Sequence, residues 1–110
     1  MDNQNFLEDF VKECAETKPE AMDEKFVGWE ALISILVYEG VRTILPELKE
    51  WIKLGATVMT LKRLELKKKL IDYATKKELD FPAAEKAAEV IADKINEENL
   101  GKIINALEKS

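Results

Sequence analysis

Histidine is absent from the 110 residues. That removes together the commonest general base, the usual activator of a nucleophile and the commonest metal ligand. A single cysteine, Cys14, excludes an intrachain disulfide, and without histidine it excludes a Cys/His zinc site. Glycine and proline are scarce, at four and three residues, which leaves little room for the turns of an all-β domain. The glycines (Gly28, Gly40, Gly55 and Gly101) lie far apart, so a phosphate-cradling loop is not expected.

Long apolar runs are missing too. The first residues, MDNQNFLEDF, lack the basic start and apolar stretch of a secretory leader. The longest apolar run, residues 31–38, is interrupted by Ser34 and bounded by Glu30 and Glu39. It falls well short of the roughly 20 residues that span a bilayer. These features, with one cysteine, lead to the expectation of a reducing, cytoplasmic setting.

What is present favours helix. Hydrophobic residues make up 46% of the chain and charged residues 35%, too apolar for disorder and charged enough for a solvated surface. Lys, Glu, Ala, Leu and Ile dominate, and the length suits one domain, residues 1–110. Phe6, Leu7, Phe10, Val11 and Cys14 recur at helical spacing, predicting a helix over about 3–17 that Asp2 or Asn3 caps. Lys18-Pro19 ends it. A second helix is expected from near Pro19 or Asp23 to about Ile44, apolar on most sides over 29–44, hence buried by several neighbours or by another chain. Gly28 and Gly40 cost that helix about 1 kcal/mol each against Ala, which suggests close approach of another backbone.

Pro46 either kinks this helix or opens a new one. Glu47 and Glu50 favour a new start, ending near Leu54 with Gly55 as a C-cap. Residues 56–78 read as a fourth helix. Its first residues, 56–61, are β-branched enough to be extended. Its stripe is Leu66, Leu70, Tyr73 and Ala74, with Leu64 and Ile71 widening it, and Glu65–Lys69 and Asp72–Lys76 are i,i+4 pairs. Leu79-Asp80-Phe81-Pro82 punctuates the chain before a fifth helix over 82–95, whose inner face is rich in alanine. Asn96 caps a last helix with the stripe Leu100, Ile103, Ile104 and Leu107.

Charge is unevenly spread. The net charge is −5, yet residues 1–30 carry −6, residues 61–77 carry +5 and residues 78–110 carry −4. The basic strip LKRLELKKKLIDYATKK holds Lys62, Arg63, Lys67, Lys68, Lys69, Lys76 and Lys77. Such a strip can track phosphates. Against that, the following helix has no Arg, Gln or Asn to read base edges, and Lys67, Lys68 and Lys69 lie 100° apart around a helix. Nucleic-acid binding is therefore disfavoured, and the strip is expected to answer the acidic residues 1–30, within one chain or between two.

Trp29, Tyr38 and Trp51 could line a pocket, but a domain this small needs them as core. Part of that segment is the expected partner or oligomer surface: Trp29, Ile33, Leu36, Gly40 and Trp51. Cys14, on an apolar stripe, is expected to be a buried, inert thiol. Glu30 and Glu39 flank the apolar run, with Arg42 three residues after Glu39, and are read as ion-paired or solvated edges of the core.

The expected fold is all-α, a compact bundle of five to six helices with a central, largely buried apolar helical region at 19–54. No catalytic residue, cofactor or metal is expected. The expected function is a small non-enzymatic helical interaction or assembly protein, of bacterial or phage accessory or structural type. It would self-associate or dock a protein partner through apolar helix faces. Two alternatives are a nucleic-acid-associated protein using 61–77 and an amphipathic membrane-interface protein in which 27–51 meets lipid.

Overall fold

Phe6, Leu7, Phe10, Val11 and Cys14 form one side of α1 (Asn3–Glu16), with Leu7, Phe10, Val11 and Cys14 buried. The computed structural model describes residues 3–17, 28–54 and 56–109, with side chains over 5–17, 28–54 and 62–109. Expectations for Asp2, for the start of the second helix within 18–27 and for Gly55 lie outside the described residues. After α1 the chain is tied back by a tertiary bond: the Trp29 indole N–H donates to the Ala15 carbonyl at 2.9 Å. A buried indole needs such a partner, and this one fixes where the next helix begins.

That helix is shorter and less regular than its pattern predicts. α2 (Trp29–Ile35) passes directly into a π-helical segment, Leu36–Val41, whose wider turn loosens the backbone ladder. The Thr43 hydroxyl donates to the Gly40 carbonyl at 2.7 Å, taking up an acceptor at the end of that wide turn. Ile44 then closes a tight turn, its N–H donating to the Val41 carbonyl at 3.1 Å. Pro46, which has no N–H, cannot continue the ladder and instead sits at the second position of α3 (Leu45–Leu54). Pro46 thus starts a new helix and does not kink an old one.

α4 (Ala56–Lys76) is helical through 56–61, which settles the extended alternative. It ends in a Schellman arrangement: the Leu79 N–H donates to the Ala74 carbonyl and the Glu78 N–H to the Thr75 carbonyl. Glu78 supplies the left-handed residue, at φ 58°, where glycine is usual. α5 (Phe81–Lys94) begins at Asp80, whose carboxylate accepts from the Ala83 N–H at 3.2 Å, with Pro82 in the first turn. α6 (Glu97–Lys109) opens on a reciprocal cap. The Asn96 side chain accepts from the N–H groups of Glu98 and Asn99, and the Asn99 side chain accepts from the Asn96 N–H at 2.8 Å.

Six helices enclose one apolar core, and no strand occurs among the described residues. α5 runs through its middle, touching α4 most extensively and also α1, α2 and the π segment. The small-sided face predicted for it, Ala84, Ala87, Ala88, Ile91 and Ile95, is buried, as are Ala83 and Ala92, and the small side chains let the neighbours come close. The stretch 29–41 shares the interior with α5. α1 packs on α6 and α2, and α3 packs on α6 and α4. No polar or charged residue is buried as a whole among the described residues, although the Nε of Arg63 is enclosed.

The left-handed Glu78 gives a direct test. Glu78→Gly relieves a steric cost but adds freedom to the unfolded chain. A net gain of about 0.5–1 kcal/mol is expected, seen as a rise of a few degrees in the thermal midpoint.

Candidate interaction surface

The five residues expected to meet a partner lie inside the chain. Trp29, Ile33, Leu36, Gly40 and Trp51 are all buried, as are Leu32, Val37 and Val41 between them. This corrects the expectation of a free surface there: α1, α4 and α5 cover the stretch. No helix among the described residues is long and apolar enough to cross a membrane. Gly40 shows why the covering is so close. A Cβ there would stand 3.1 Å from Leu70 Cδ2 and 3.4 Å from Tyr73 Cδ1, both on α4. The missing side chain serves packing within the chain.

The basic strip is dispersed as the helical spacing requires. Lys67 reaches Glu89 on α5 at 3.6 Å, while Lys69 reaches Glu47 on α3 at 3.5 Å. Lys62 hydrogen-bonds Glu65 at 2.9 Å and lies 5.8 Å from the Trp51 ring centroid. Lys69 therefore turns across to α3 and does not pair with Glu65, and the bond from Lys62 holds the Glu65 carboxyl below its usual range. The Nε of Arg63, on the strip's one guanidinium, is enclosed and finds no hydrogen-bond partner. Lys68, Lys76 and Lys77 point outward. Among the described residues the strip's ion pairs run to α3, α5 and α4 itself, and the acids of 18–27 lie outside the described residues. α1 instead brings Glu13 to within 3.9 Å of Lys94 on α5.

A groove of about 540 Å³ opens where the turn at Thr43 and Ile44 meets the C-terminal half of α4. Lys69, Lys76 and Lys77 line it together with Asp72 and Tyr73. Its positive charge is offset locally. Asp72 is part of the wall, Glu47 engages Lys69, and the Tyr73 hydroxyl donates to Glu39 at 3.1 Å. Partial burial, then the hydrogen bond and charge of Glu39, push the Tyr73 phenol up from 10.0. Glu39 thus has a role that spacing did not reveal, because its partner is 34 residues away. Glu30 is exposed. No cluster of three potential metal ligands forms among the described residues.

Cys14 is fully buried, and that burial, with the charge of Glu13, pushes its thiol from 9.0 up to about 12.

What remains outside is a set of apolar side chains without cover. Leu64 is 78% exposed, Leu54 65%, Phe81 54% and Ile52 45%. Leu64 was expected to widen the buried stripe of α4, and the structure places it on the opposite side. The signal was available: two residues apart on a helix is 200°, so Leu64 cannot share a side with Leu66. Ile71, seven residues on, is half-buried and packs against the core. Comparison with protein families, curated proteins and solved structures finds no match, so this surface has to be read from its own chemistry.

Two outcomes are expected. Gly40→Leu forces a side chain into space held by Leu70 and Tyr73 and should cost about 1–3 kcal/mol or more in chemical unfolding. Native Cys14 should resist alkylation at pH 8, with labelling limited by unfolding. Its raised pKa leaves stability untouched below pH 9 and removes stability as pH climbs from about 9 toward 12, where only the unfolded thiol ionises.

Proposed function

We propose that this chain is a small non-enzymatic helical interaction protein, which assembles with itself or docks a protein partner through an apolar helix face. The supporting observation is the two-sidedness of α4. Its inner side buries Leu66, Leu70 and Ala74, while its outer side leaves Leu64 78% exposed. A lone exposed leucine is ordinary on a protein surface. Leu64 is not alone among the described residues. Three more uncovered apolar side chains among the described residues, Ile52, Leu54 and Phe81, lie before and after α4 in sequence. A helix that buries one side against α3, α5 and the π segment and leaves a leucine bare on another suits contact with a further neighbour.

The lysines support a nucleic-acid role less well. Lys62, Lys67 and Lys69 answer to Glu65, Glu89 and Glu47, and the net charge of −5 opposes approach to a polyanion. The cytoplasmic setting belongs to the same proposal and rests on cysteine usage alone.

Sedimentation across a concentration series from micromolar to millimolar tests the assembly branch. A weight-average mass that climbs reversibly above the monomer is expected. A strict monomer throughout would sink self-association and leave docking of a different protein.

A further inference from the structure

We propose that the wide turn over Leu36–Val41 is a one-residue register device: it holds an extra residue that keeps a four-residue apolar repeat turned into the core and carries Glu39 to Tyr73. This inference stands apart from the assembly reading above.

The repeat is legible in the burial. The pairs at 32–33, 36–37, 40–41 and 44–45 are buried, at intervals of four residues, and every residue between them is exposed or half-buried. Trp29 begins the series and Leu48 continues it in α3. A regular α-helix does not keep such a repeat on one side. Four residues advance it by about 400°, so each pair drifts about 40° past the last. From 32–33 to 44–45 the drift would reach about 120°, enough to turn the last pair away from the neighbour that covers the first. A π turn, bonded i→i+5, takes about one residue more than an α turn, so four residues fall short of a full turn and the drift is taken back. A repeat that does not match the helix must be met by some change of winding, and here it is met by one wide turn. α5 accordingly packs against both α2 and the π segment. α5 itself carries a four-residue repeat for only two steps, from 83–84 to 91–92, and stays regular because α1, α2, α4 and the π segment cover it on several sides.

The wide turn is fastened where it ends. The Tyr73 hydroxyl donates to Glu39 at 3.1 Å, and the Thr43 hydroxyl donates to the Gly40 carbonyl at 2.7 Å. Gly40 lies against Leu70, 3.1 Å from where a Cβ would stand. Glu39 is exposed between two buried pairs, so its bond to α4 holds the turn without entering the core.

Single-residue deletions in the full chain test the device, read by the thermal transition in far-ultraviolet circular dichroism. Deletion of Glu39 lets the wide turn close to an ordinary α turn, and the apolar pairs keep their side. A cooperative transition is expected, with its midpoint lowered by about 10 °C or less for the lost Tyr73 bond. Deletion of Ser34 in α2 should also keep a cooperative transition, because the extra residue can be given up anywhere along the stretch. Deletion of Glu89 from the regular α5 should abolish it, and so should one alanine inserted after Glu39, which adds a second extra residue. Loss of the transition on deleting both Glu39 and Ser34 would show that the stretch has no residue to give up, and the proposal fails. An insertion as stable as the Glu39 deletion would show mere tolerance of length, which also overturns it. Tyr73→Phe, which keeps the ring, tests the fastening separately. It should speed hydrogen exchange at the amides of 40–44 by about tenfold and leave α6 unchanged. Unchanged exchange at 40–44 would remove Glu39 and Tyr73 from the device.

Discussion

Close approach to α4 is the constraint on which the rest of the structure depends. Gly40 lets the π segment press against Leu70 and Tyr73, and the alanines of α5 let that helix lie tightly along the same partner. Interiors are close-packed, so a gap or an extra methylene at these contacts is felt throughout. With α5 on one flank, the π segment behind and α3 on the other flank, α4 is held by its inner side alone. Its outer side is left to solvent, and Leu64 stands exposed there.

The π segment and the turn at Ile44 follow from the same demand. A regular helix through residues 29–54 would need a backbone donor at Pro46, and proline has none. The chain widens over Leu36–Val41, tightens at Ile44 and restarts at Leu45. The Thr43 hydroxyl and the Tyr73–Glu39 bond take up polar groups at that irregularity, one locally and one across to α4. The irregular stretch therefore has its polar groups answered, and it positions Gly40 where close packing requires a glycine.

Charge shapes the outside without organising the inside. The ion pairs are partly or fully exposed, and such pairs contribute little to stability individually. Their effect here is to tie Lys62, Lys67 and Lys69 to acids on three helices, α4, α5 and α3. A strip that is strongly basic along the sequence becomes, in space, a set of locally balanced neighbourhoods. That dispersal weakens a polyanion-binding reading and leaves both signs available on the outer side of α4.

The sequence determined the helical class, the alanine face of α5, the cap at Asn96, the buried thiol of Cys14 and the scatter of the lysines. Each depends on periodicity, on side-chain volume or on a residue's own hydrogen-bonding groups, all of which are local. The same reasoning left Pro46 open between two outcomes and misplaced Leu64, although the 200° offset from Leu66 was there to be read. Only the tertiary structure decided that Trp29, Ile33, Leu36, Gly40 and Trp51 are interior and not a partner surface. It alone paired Glu39 with Tyr73 and Lys69 with Glu47. An apolar side chain has the same preference for burial whether its own chain or another covers it. Which of the two does so depends on how the helices pack, and no local pattern carries that information.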